Sequence, residues 1–133
     1  MTRRALRFEL GAVGVTAGLY LVNRLVLLRV ARGALLLFFQ WYFADILAGG
    51  MILGITNLLL LLARLNWRLG TPGKIVPFLL LCGLAWEVLP LYYKAGAVFD
   101  WYDILCYLIG GGVYYLLSRF LMPWDAASRT PSE

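Results

Sequence analysis

The chain has 133 residues, the size of one domain, and combines 62% apolar residues with only 14% charged ones and a formal net charge of +5. Soluble proteins carry roughly 45–50% apolar and about 25% charged residues, and a water-soluble domain this small cannot hide so much apolar surface, so the composition is that of a membrane protein. With no histidine in the chain, a Ser-His-Asp triad, the usual zinc sites and the commonest general base near neutral pH are excluded.

The basic residues are scattered between apolar runs and form no face interleaved with aromatics, which points to a membrane and away from nucleic acid. The start "MTRR" is basic, but Glu9 interrupts it and no A-x-A cleavage motif follows. The first apolar run, over residues 8–25, therefore reads as a retained span.

Further spans are expected over 42–63, 75–93 and 103–121, each near the length needed to cross about 30 Å of hydrocarbon. Between the first two lies "RLVLLRVARGALLLFFQWYF", over 24–43. At 100° per residue its arginines Arg24, Arg29 and Arg32 share one side, so the segment is expected to lie in the interface or to re-enter the membrane. Those arginines read either as snorkelling anchors or as a cationic rim for an anionic headgroup. "NWRLGTPGK" over 66–74 and "KAGAVFDW" over 94–101 read as loops.

The fold class is thus all-α: a polytopic membrane protein with four transmembrane helices and a short interfacial or re-entrant helix between the first and second. Residues 1–124 form one transmembrane domain, and 125–133 a polar tail expected to be disordered. Arg3, Arg4, Arg7, Arg64, Arg68, Lys74, Arg119 and Arg129 fall on one side of this arrangement, and Arg24, Arg29, Arg32 and Lys94 on the other. The positive-inside rule then puts both termini in the cytoplasm.

Glycines mark close approach. Gly14 with Gly18, and Gly50 with Gly54, form G-x-x-x-G pairs, read first as packing within the chain and second as a dimer seam. The triplet Gly110, Gly111 and Gly112 weakens its helix and implies a tight neighbour or ligand. Cys82 and Cys106 lack C-x-x-C spacing and are expected at different depths, as packing residues.

The stretch "AWEVLPLYY" places Glu87 inside the third span, where an ionised side chain costs at least about 2.5 kcal/mol and marks a functional site by default. Pro90, three residues later, deletes a helix donor and is expected to kink the span at that depth. Asp45 opens the second span. Asp103 opens the fourth, with Tyr107, Gly110 and Tyr114 below it on one stripe. Either aspartate is also explained as an ordinary N-terminal cap. Convergence of Asp45, Glu87 and Asp103 on one outward-facing pocket, with Arg24, Arg29 or Arg32 as partners, is the expected binding site.

Glu87 through Gly110 resembles the VanZ-like family of small membrane proteins, named for a teicoplanin-resistance protein. Its signature runs from a glutamate through a Gly-Arg loop to Asp-x-x-x-Asn-x-x-Gly opening the last helix; "WEVLP" and "FDWYDILCYLIGGG" supply Glu87, Asp103 and Gly110. Pro90 stands where that family has glutamine, and Tyr107 where it has asparagine. "YFADILAGG" over 42–50 is similar to the aspartate-containing segment of divergent members. The resemblance implies a bacterial cytoplasmic-membrane protein tied to the cell envelope or to glycopeptide tolerance, and names no reaction.

Four roles follow in order. First is a non-enzymatic envelope protein binding a lipid or a lipid-linked or lipoglycopeptide headgroup, and close behind it a subunit of a homo-oligomer or larger membrane assembly. A small transporter component comes next. A lipid-modifying enzyme comes last, because no nucleophile–base pair or metal-ligand spacing is visible; no catalytic residue, metal or cofactor is assigned.

Overall fold

The computed structural model describes residues 3–122, and among these it contains helices and no strands. The polar tail expected over 125–133 lies outside the described residues. Four helices are long and apolar enough to cross a membrane: α1 (Arg3–Val30), α2 (Ala34–Leu62), α3 (Pro72–Tyr93) and α4 (Trp101–Leu121).

The expected interfacial helix between the first two spans is not there. Residues 24–43 instead extend α1 and α2 into a helical hairpin closed by a three-residue turn, with Ala31 extended and Gly33 at φ 62°. The positive φ suits glycine, which has no Cβ to clash. At 28 and 29 residues against 22 and 21, α1 and α2 outreach α3 and α4 by about 10 Å at 1.5 Å per residue.

Each arm carries one stretch of π-helix, Asn23–Leu27 in α1 and Phe38–Tyr42 in α2. A π-turn inserts a residue and rotates the face beyond it, so a uniform 100° count does not carry across this segment. The two stretches are tied together. Asn23, 1% exposed, donates from Nδ2 to the Phe39 carbonyl at 3.0 Å, while its Oδ1 is enclosed without a partner.

The helices pack as an open layer in the order α1, α2, α4, α3, with the backbones of α1 and α4 held apart and the two helices meeting through the side chains of Phe8, Glu9 and Tyr114. Glycine sets the central crossing. A Cβ on Gly49 would run into the Tyr107 carbonyl, and one on Gly110 into the Ile46 carbonyl, so α2 and α4 meet backbone to backbone. Gly111 leaves room for Leu79 of α3, whereas Gly112 faces open space. The expected intrachain packing holds for Gly50 and Gly54, which meet Thr16 and Val13 of α1; Gly14 and Gly18 meet nothing within 4 Å. Helix α3 runs through both Pro77 and Pro90 to Tyr93 without interruption. Cys82 and Cys106 are free thiols.

Candidate functional site

Two polar clusters lie at opposite ends of the layer. The first is built around the start of α4. Asp100 is its N-cap, with Oδ1 accepting from the Tyr102 amide at 2.9 Å. Asp103 is therefore the third residue of the helix and not its cap, contrary to the simplest reading of the sequence. In a capping box an acid at that position accepts the N-cap amide. Here the Asp100 amide is taken by Glu87 of α3, at 3.0 Å from Oε2, which leaves the Asp103 carboxyl for other partners.

Those partners are carboxyl groups. Asp103 has Asp45 of α2 and Glu87 of α3 as electrostatic neighbours, and Tyr107, one turn further along α4, lies near Asp45. Asp45 is no cap either. It sits 11 residues into α2, about 16 Å along its axis, because the helix begins well before the expected boundary. The result is a row, Tyr107–Asp45–Asp103–Glu87–Asp100 amide, strung across three helices. Glu87 is 9% exposed and turns its carboxylate to the Asp100 amide at the start of α4. Gly49 and Gly83 make the room: the first admits the Tyr107 backbone, the second its ring, 3.2 Å from where a Cβ would stand.

The expected arginine rim does not form around these acids. Arg24, Arg29 and Arg32 are exposed on the projecting hairpin, and between described residues the one ion pair, Arg68 with Glu9, is at the other end. The acids thus make no ion pair with a basic residue among those described. Among the described residues no set of three or more Asp, Glu, Cys or His side chains is arranged to hold a metal ion. A row of separate acceptors suits an organic cation with several N–H donors better than a point ion.

The second cluster escaped the sequence reading. Glu9, 1% exposed, accepts from Arg68 at 2.6 Å and from the Tyr114 hydroxyl at 2.6 Å. Asn57 donates to the Tyr114 hydroxyl at 2.7 Å and to the Leu69 carbonyl at 3.1 Å, and its Oδ1 accepts the Leu69 amide at 2.8 Å. The chain of bonds clamps α1, α2, the 63–71 loop and α4. Tyr114 was placed on the Asp103 stripe, and it does lie there, but its partners belong to this far cluster. Polar Glu9 and Asn57 inside apolar runs were the available signal, the same one that singled out Glu87.

No protein-family model, curated protein or solved structure matches the chain.

Proposed function

We propose that this is a multi-pass protein of the bacterial cytoplasmic membrane, both termini cytoplasmic, that binds an amine-bearing lipid or lipoglycopeptide headgroup at the acid row. The observation that carries the reading is the meeting of Asp45, Glu87 and Asp103 from three helices without a basic partner. Each ionised carboxylate is an acceptor only, and a primary ammonium offers three donors on one cation. Charge-assisted bonds of this kind are about twice as strong as neutral ones. The chain is a divergent VanZ-like protein on this reading, supported by Glu87 lying beside Asp103 and by Gly110 standing where two backbones cross. Its role in the envelope, including glycopeptide tolerance, follows from that likeness.

The test is retention of phosphatidylethanolamine by the purified full chain, read by native mass spectrometry. Glu87→Gln and Asp103→Asn are each expected to lower retention about tenfold, the effect of one lost charge-assisted bond. Retention equal to that of the unaltered chain in both variants removes the acid row as the site.

A second reading is a subunit of a homo-oligomer or a larger membrane assembly. It is favoured by Gly14 and Gly18, whose face of α1 meets nothing in the chain. Dimerisation that survives Gly14→Leu and Gly18→Leu together would contradict it.

A further inference from the structure

Because α1 and α4 both lie against α2 with their backbones apart, a groove of about 410 Å³ opens between them. Its floor is Ile46 and Gly50 of α2, and its walls include Gly11 and Val15 of α1 and Leu117 of α4. From Arg7 to Leu19 the lining covers 12 steps of α1, about 18 Å at 1.5 Å per residue. That is a little over half of a hydrocarbon core about 30 Å thick. One end lies at Arg7 and Leu121, on the side that carries Arg3, Arg4 and Arg119; the other stops near mid-depth at Leu19 and Gly110.

We infer that this groove holds one acyl chain of an anionic phospholipid, with the phosphate at Arg7. The inference rests on the membrane-spanning reading and not on the acid row, which lies at the opposite end of the layer from Arg7. The length selects the occupant: a partner helix crosses the whole core, whereas this channel serves a single leaflet. Charge selects the headgroup. Arg7 is exposed at the mouth and makes no ion pair with a described residue, and guanidinium matches phosphate through paired N–H donors. The walls need little rearrangement, since a Cβ on Gly11 would meet nothing within 4 Å.

The probe is an equal mixture of phosphatidylglycerol and phosphatidylcholine with matched chains, offered to the purified full chain and read by native mass spectrometry. The unaltered protein is expected to keep one phospholipid, with phosphatidylglycerol favoured about fivefold, the effect of one arginine near an anionic surface. Arg7→Gln is expected to erase most of that preference while leaving the lipid bound. Gly11→Leu fills the groove and is expected to lose both lipids, and Val15→Trp on the same wall carries the same expectation should that variant not fold. Gly14→Leu, in open space beside the groove, should bind as the unaltered chain does. Undiminished binding in Gly11→Leu and Val15→Trp overturns the proposal. Equal loss in Gly14→Leu overturns it too, as does a dimer that Gly11→Leu dissolves, which would make a second copy the occupant. Extraction of the chain from membranes by alkaline carbonate would instead remove the spanning reading itself.

Discussion

The Tyr114 hydroxyl donates a 2.6 Å hydrogen bond to Glu9 Oε2, joining residues 105 positions apart. Arg68 holds the other oxygen of the same carboxylate. One buried acid near the start of the chain thereby fastens the last helix and the 63–71 loop to the first. Breaking a buried ion pair by removing one partner costs about 3–5 kcal/mol. Arg68 keeps some exposure, so Glu9→Ala should destabilise by about 3 kcal/mol, seen as a lower Tm in detergent. Glu9→Gln, which preserves an acceptor for Tyr114, should cost less.

Asn57 satisfies both backbone groups of the buried Leu69. Leucine at this position fits the apolar run of α2 but strands those groups, at about 1–3 kcal/mol each. Asn57→Leu is expected to expose the 63–71 loop, with faster hydrogen exchange at the Leu69 amide and earlier proteolysis at Arg64. Exchange matching the unaltered chain would mean that the loop is held by other contacts.

The glycine triplet separates into unlike positions. Gly110→Ala drives a methyl into the Ile46 carbonyl, and overpacking of this sort costs about 1–3 kcal/mol or more. Gly112→Ala meets open space and should stabilise by up to about 1 kcal/mol through helix propensity. Thermal unfolding of the two variants side by side checks the α2–α4 crossing.

What could be seen in advance followed from side chains that solvent alone decides. Four apolar runs gave four helices, and Glu87, an acid in an apolar run, faces other acids. The same argument applied to Glu9 and Asn57 would have found the second cluster, but Glu9 stood near arginines and was read only as the residue that interrupts a basic start. The hairpin tip was illegible for a different reason. Its turn depends on three residues and its register on two π-stretches, and a π-turn has no periodic signature of its own. Asp45 was misplaced accordingly: with α2 beginning at Ala34, it became an interior residue with no capping role.

Sites built for binding are commonly poor for stability. The acid row crowds like charges without a basic partner, so Asp103→Asn should raise Tm, equivalent to about 1 kcal/mol, while weakening the amine binding proposed above. A lower Tm would instead identify Asp103 as a purely structural tie between α2 and α3.

On the proposed function, the acid row recognises N–H donors on a cationic headgroup. Successive methylation of the amine tests it most directly, since each methyl removes one donor and leaves the charge in place. Retention by the unaltered chain, measured across phosphatidylethanolamine, its monomethyl and dimethyl derivatives and phosphatidylcholine, is predicted to fall at every step. Equal retention of all four would contradict it.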